Sequence, residues 1–423
     1  MTAKVNQNRL WDCLEEHGQI GSTGDGGVNR ETLTEADKVG RDTFIRWCED
    51  AGMSVEIDRL GNIFATRPGL DNSLLPVAMG SHLDTQPTGG KYDGILGVLG
   101  GLEVVRALNE ANITTRRPIQ IVVWTNEEGS RFLPSMAASG VYAGIFKEED
   151  ILAETDDEGV SFADALDAIG YRGSVEVGKR KFHAFIELHI EQGPVLEHKK
   201  MEVGVVTGSQ AMNWSNVTVR GIPAHAGTTP MPNRTDALAC ATRLLQRAYD
   251  EGNAMAGACT TIGVMNAYPS SHSTIPNRVE FTLDLRHPDP DKLAELVADF
   301  DAVAAVESRL GFEITREEFG IAEAQVFDKE CTAAIRRAAE QGGYRYCDIV
   351  SGAGHDAVYL NQVCPTGMIF VPCKDGVSHN PKESITAEQA TAGVDVMLNA
   401  VLELANKEGV TERDVRLEEP VAG

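Results

Sequence analysis

Four short apolar runs in this chain end on polar, mostly titratable residues, and no other feature restricts its possible folds as strongly. Residues 75–80 (LPVAMG) lead into Ser81-His82-Leu83-Asp84, and residues 119–124 (IQIVVW) into Thr125-Asn126-Glu127-Glu128-Gly129. Residues 185–188 lead into His189-Ile190-Glu191-Gln192-Gly193, and residues 368–371 (MIFV) towards Asp375-Gly376-Val377-Ser378-His379-Asn380. Short continuous apolar runs suit strands buried on both faces. Residues 93–108 (DGILGVLGGLEVVRAL) read as a helix that is apolar nearly all round and therefore buried, with glycines that permit close packing. A capping signal, Thr34-Glu35-Ala36-Asp37, opens a further helix expected to reach Gly52. Strands alternating with buried helices predict an α/β fold, a mixed sheet flanked by helices.

The middle of the chain has a different rhythm. Residues 217–219, 258–264 and 279–285 show strand alternation or β-branched enrichment, and residues 236–249 and 292–310 show helical periodicity. From Glu330 onward the α/β pattern returns, so an α+β domain inserted into the first is expected, not two domains in tandem. The expected boundaries are 1–212 with 327–423 for the outer domain and 213–326 for the insertion. A length of 423 residues agrees with two cores, since single cores divide beyond roughly 250–300 residues.

The chain carries 63 acidic and 38 basic residues, a formal charge of −25, without a long Lys/Arg block. That argues against nucleic acid or an anionic membrane as partner. No stretch approaches the ~20 apolar residues of a membrane span, and the first residues lack the apolar core of a signal peptide. Eight scattered cysteines without a C-x-x-C pair suit reduced thiols, and the expected location is the cytoplasm. The glycine-rich segment Gly21-Ser22-Thr23-Gly24-Asp25-Gly26-Gly27 has no Lys-Ser/Thr ending, which sets aside a phosphate loop. No G-x-S-x-G elbow supports a serine hydrolase.

Three of the ten histidines, His82, His189 and His379, sit where an apolar run ends. Glu127 and Glu128 follow another run, and Asp93 opens the buried helix. Ligands bind at the carboxyl ends of strands in α/β sheets, so these distant residues can converge. Imidazoles with carboxylates make a borderline-hard site for Zn²⁺, Mn²⁺, Co²⁺ or Ni²⁺. One carboxylate shared between two such ions would let both act on one water.

Ser81-His82-Leu83-Asp84-Thr85 with Asp93-Gly94, Asn126-Glu127-Glu128-Gly129, Glu187-Leu188-His189-Ile190-Glu191-Gln192-Gly193-Pro194 and Ser378-His379-Asn380 resemble motifs of the binuclear-metal amidohydrolases of the M20 peptidase superfamily. The resemblance extends over nearly the whole chain and is specific to the N-carbamoyl-amino-acid amidohydrolase branch, which includes β-ureidopropionase, L-carbamoylase and allantoate amidohydrolase. Ala224-His225-Ala226-Gly227, Phe281-Thr282-Leu283-Asp284-Leu285-Arg286 and Ser351-Gly352-Ala353-Gly354-His355-Asp356 are similar to the β-ureidopropionase type.

The resemblance implies two divalent ions, zinc or else manganese, cobalt or nickel. His82 and His189 would bind one, Glu128 and His379 the other, with Asp93 bridging. Glu127 would be the general base, and Asp84 would orient the His82 ring. It also implies that the inserted domain is a lid and dimer interface, that the protein is a homodimer, and that His225 acts from the neighbouring subunit. His225 would stabilise an oxyanion and Arg286 grip the carboxylate of a small anionic ureido substrate. Gln192 and Gln86 would make polar contacts with that substrate. One departure concerns His272-Ser273-Thr274-Ile275-Pro276-Asn277: relatives carry an asparagine where Ser273 stands and a glycine where Asn277 stands. The shorter Ser273 puts the identity of the N-carbamoyl acid in question. The alternatives are an allantoate amidohydrolase, an aminoacylase or dipeptidase of the same superfamily, and a non-catalytic binding protein on this fold.

Overall fold

The computed structural model describes residues 3–407. The parts of the expected outer domain at residues 1–2 and 408–423 lie outside the described residues. The chain divides into two compact units, Met1–Thr207 with Phe327–Gly423, and Gly208–Val326.

The first unit is a mixed sheet flanked by helices, the fold class expected from the apolar runs. Its strands follow the order Ser54–Ile57, Ile63–Arg67, Ile119–Trp124, Val77–His82, Ala184–Ile190, Thr366–Val371, Val203–Ser209, with Tyr346–Ser351 also paired to the last. The four strands from Ile119–Trp124 to Thr366–Val371 are mutually parallel and buried along their whole length. Their neighbours Ile63–Arg67 and Val203–Ser209 run antiparallel.

Strand alternation sorts the side chains between two cores. Met79, Ile121, Ile186 and Ile369 join a large cluster with the helices Gln7–His17, Ile95–Glu110, Lys329–Gly342 and Ala387–Asn406. Ala78, Trp124, Phe185 and Phe370 join an aromatic-rich cluster with Tyr142 of helix Ala137–Ala143 and Leu360 of helix Asp356–Leu360. Helix Ile95–Glu110 is the buried one anticipated from residues 93–108. It lies so close to the sheet that a Cβ on Gly97 would stand 2.4 Å from the Leu188 carbonyl oxygen. The capping signal holds as well: the Thr34 side chain accepts from the Asp37 amide and helix Glu35–Asp50 follows.

The second unit is a five-stranded antiparallel sheet in the order Glu313–Ala322, Ala211–Arg220, Arg278–His287, Cys259–Thr261, with Met265–Tyr268 also on Arg278–His287. Burial alternates along Ala211–Arg220 and Arg278–His287, and the inward side chains pack on helices Ala237–Ala254 and Pro290–Arg309. Residues 258–264 were expected as one strand, but two form, Cys259–Thr261 and Met265–Tyr268. Where the chain enters and leaves this unit, Gly208–Ser209 pairs antiparallel with Gln325–Val326. Among the described residues no helix is long and apolar enough to cross a membrane.

Gly97→Ala should force the buried helix off the sheet and lower stability by about 1–3 kcal/mol. Gly101→Ala, whose Cβ would meet Ile121 at 3.3 Å, should cost less. Thermal unfolding of both variants measures the difference, and equal melting temperatures would contradict this packing.

Candidate metal centre

Parallel strands align their carboxyl ends, and the site is built there. His82 is the last residue of its strand, and His189 lies one residue before the end of the next strand over. Asn126, in a left-handed turn after Trp124, presents Glu127 and Glu128. His379 also takes a left-handed backbone conformation (φ 52°) in the segment beyond Thr366–Val371. Asp93 directly precedes Gly94, the N-cap of helix Ile95–Glu110, and the Gly94 amide lies 3.2 Å from His189 Nε2.

The six side chains converge. Asp93 Oδ1 is 3.0 Å from His189 Nε2 and 3.7 Å from His82 Nε2. Asp93 Oδ2 is 3.3 Å from His379 Nε2, which is itself 3.4 Å from Glu128 Oε2. Two candidate donor groups therefore share Asp93: His82–Asp93–His189, fully buried, and Asp93–Glu128–His379. Glu127 Oε2 is 3.5 Å from His82 Nε2, next to the first group.

Hydrogen bonds set these positions. The His82 ring is oriented through Nδ1, 2.9 Å from the Asp84 backbone carbonyl, while the Asp84 carboxylate accepts from the amides of Glu127 (3.4 Å) and Glu128 (3.1 Å). The contact of Asp84 with the imidazole is thus made by its main chain, and its side chain binds the acidic turn. Gln86 donates to Glu128 Oε2 at 2.8 Å, so this amide supports Glu128. Gln192 donates to Asp93 Oδ2 at 2.8 Å, and its own oxygen is buried without a hydrogen-bond partner. Beneath these turns, Arg30 donates to the Leu83 carbonyl at 2.8 Å, and Arg41 to Thr125 Oγ1 at 3.2 Å.

So many buried acids perturb one another. Burial, followed by the charges of Asp356, Glu128, Asp84 and Asp93, raises Glu127 well above the usual carboxyl range. Burial and the Asp93 charge raise Glu128 to about 8. Burial and Asp37 raise Asp84 to about 7. Burial alone would raise Asp93 too, but the charge and hydrogen bond of His189, with His379 and His82, hold it well below the usual range. Burial lowers His82 to about 4, whereas Asp93 overcomes burial at His189 and takes it to about 9. The hydrogen bond to Asp93 raises His379 to about 9. A cluster with this excess of carboxylates fits divalent cations, which relieve the mutual repulsion. Its imidazole and carboxylate donors suit zinc, manganese, cobalt or nickel.

His225, Ser273 and Arg286 all belong to the second unit. His225 and Ser273 lie on adjoining segments, with the Ala226 amide donating to the Ser273 carbonyl at 2.9 Å, and both side chains are exposed. Arg286 holds Asp284 at 2.9 Å and lies over the Trp214 ring.

Two further residues, Glu187 and His355, are buried beside the site. Glu187 accepts from Ser81 Oγ at 2.7 Å and from the Ala357 amide at 2.9 Å. The His355 ring lies 4.5 Å from that of His189, and the three residues form another candidate donor group. The i, i+2 spacing of Glu187 and His189 on one strand, which puts both on one face, was the available signal.

The chain matches Peptidase family M20/M25/M40 over residues 78–403. It is 48% identical over 404 residues to the N-carbamoyl-L-amino-acid amidohydrolase of Rhizobium meliloti, covering 95% of this chain and 97% of that protein. It is 32% identical over 403 residues to the allantoate amidohydrolase of Bacillus subtilis, covering 94% and 98%. The crystal structure of an amidase of the hydantoinase/carbamoylase family from Burkholderia multivorans superposes with a TM-score of 0.93 at 49% identity, over 96% of this chain and 99% of that one.

Removing the Asp84 carboxylate frees the turn that carries Glu127 and Glu128. Asp84→Ala should weaken Zn²⁺ or Mn²⁺ binding about 10–100-fold, the usual effect of losing a ligand's hydrogen-bonding support. Calorimetric titration of chelator-treated protein reads this directly, and wild-type affinity would show that the turn is held by other means.

Proposed function

The chain belongs to the M20/M25/M40 peptidase family, whose members are metal-dependent, and from that premise we propose that it hydrolyses N-carbamoyl amino acids at the ureido C–N bond. One water is consumed, and the free amino acid, CO₂ and ammonia are released. The observation that carries this reading is the division of the Asp93 oxygens between two donor groups, with Glu127 alongside. The 48% identity to an N-carbamoyl-L-amino-acid amidohydrolase supports the substrate class.

His82 and His189 would hold one divalent cation and Glu128 and His379 a second, with Asp93 shared, zinc or manganese being the expected ions and cobalt or nickel alternatives. When bound, such cations polarise a carbonyl and make water more acidic. Glu127 takes a proton from the attacking water and delivers it to the departing nitrogen. Burial, and after it the surrounding acids, favours the protonated form of Glu127, which suits the second half of that task. Gln192, with its unpartnered oxygen, accepts from a ureido N–H. Gln86 keeps Glu128 in place, and any contact it makes with the substrate is an addition to that role.

In the second unit, His225 is assigned to the negative charge that develops on the ureido oxygen and Arg286 to the substrate carboxylate. Ser273 takes the position of the relatives' asparagine beside the substrate. On this reading the second unit is a lid and dimerisation domain and the enzyme a cytoplasmic homodimer.

The test is an ammonia-release assay on the metal-loaded protein with N-carbamoyl-L-amino acids, N-carbamoyl-β-alanine and allantoate, with release of the free amino acid followed for N-acetyl amino acids, whose hydrolysis yields acetate and no ammonia. Turnover of an N-carbamoyl amino acid, lost on chelation and restored by metal, is the expected result. Ammonia from allantoate alone would replace the reading with that of an allantoate amidohydrolase. Glu127→Gln should lower kcat about 10²–10⁴-fold, and unchanged turnover would remove it as the base. Arg286→Ala should raise KM for carboxylate substrates about tenfold, the value of one charge-assisted contact. An unaltered KM would refute that assignment.

A further inference from the structure

Glu383 joins two segments that lie 290 positions apart, and nothing assigned so far uses it. Its Oε1 accepts from the backbone amides of Tyr92 at 2.9 Å and Asp93 at 3.1 Å. Its Oε2 accepts from Ser378 Oγ at 2.9 Å, and that hydroxyl is also 3.0 Å from Asp93 Oδ2. The carboxylate is buried and boxed in: a Cβ on Gly90 would stand 2.1 Å from it. Three donors converge on one small anion, which makes it a rigid clamp between residues 92–93 and Ser378.

The two segments do not depend on this clamp equally. Asp93 has further anchors, because the Tyr92 ring stacks on Trp11 at 5.6 Å, the Tyr92 hydroxyl donates to Glu15 at 2.8 Å, and a buried helix follows. His379 has fewer. Its side chain is 49% exposed, its backbone is left-handed, and its neighbour Ser378 is held by Glu383.

We propose that Glu383 is a positioning residue that fixes Ser378 and His379 against Asp93, completing the Asp93–Glu128–His379 group while the His82–Asp93–His189 group stands without it. This rests on the two-cation reading above. An arrangement of this kind makes the second cation the more easily lost.

Co²⁺ titration of the chelator-stripped full chain, followed by calorimetry and visible absorption, tests the clamp apart from activity. The wild type should take up two equivalents. Glu383→Ala should keep the first step and weaken the second about 10–100-fold. Glu383→Gln retains an acceptor oxygen for the two amides and should recover most of the second step. If Glu383→Ala fails to fold, Gly90→Ala, which drives a methyl group into the same carboxylate, takes its place with the same selective loss expected. Two wild-type steps in the alanine variant, or equal weakening of both, would overturn the proposal. A wild type that takes up a single equivalent would instead overturn the two-cation reading.

Discussion

One carboxylate divided between two sets of donors governs the architecture around it. Asp93 can serve both sets only if its two oxygens face different ways and its backbone does not move. Its place at the entry to a largely buried helix supplies that rigidity. The cost is electrostatic, since Asp84, Glu127, Glu128, Glu187 and Glu383 crowd into the same low-dielectric region. The protein offsets much of it with main-chain amides. Asp84 accepts from Glu127 and Glu128, Glu187 from Ala357, and Glu383 from Tyr92 and Asp93. Each acid that serves as support holds the backbone of a segment that carries, or lies beside, a residue of the site.

Positive charge comes from beneath, out of the N-terminal segment. Arg41 and Asp37 form a fully buried ion pair, and Arg41 also binds the Gly61 carbonyl and Thr125. Arg30, equally buried, donates to the carbonyls of Leu83, His17 and Ile20, and burial lowers it to about 10. Each arginine thus grips a loop that leaves a central strand, one after His82 and one before Glu127. Buried charges paired in this way contribute less to net stability than to a single defined geometry, and that geometry is what the donor groups require.

Much of this was legible in the amino-acid order, and for a physical reason. A parallel strand covered on both faces is apolar along most of its length, so residues 75–80, 119–124, 185–188 and 368–371 stand out despite Gln120 and Glu187, and the polar residue ending each run marks a strand end. The strands Val77–His82 and Ala184–Ile190 run further than the apolar letters do, because the sheet continues through His82 and His189. Strand Glu313–Ala322 gave no such signal: it lies at the sheet edge, has no buried residue, and mixes charged side chains with exposed Phe319 and Ile321. The supporting contacts were silent for another reason. The contacts of Glu383, Arg41 and the Asp84 side chain depend on which distant segments become neighbours, and no local pattern encodes that.

The order of the strands in space differs from their order in the chain, and this bears on synthesis. A ribosome delivers the N-terminus first. The donors His82, Asp93 and His189 have all emerged before the inserted unit is made, whereas His379 follows it. Strand Thr366–Val371, which lies between Ala184–Ile190 and Val203–Ser209 in the sheet, is made after both. The residues of one donor group are therefore all synthesised early, whereas the other lacks His379 until translation is nearly finished.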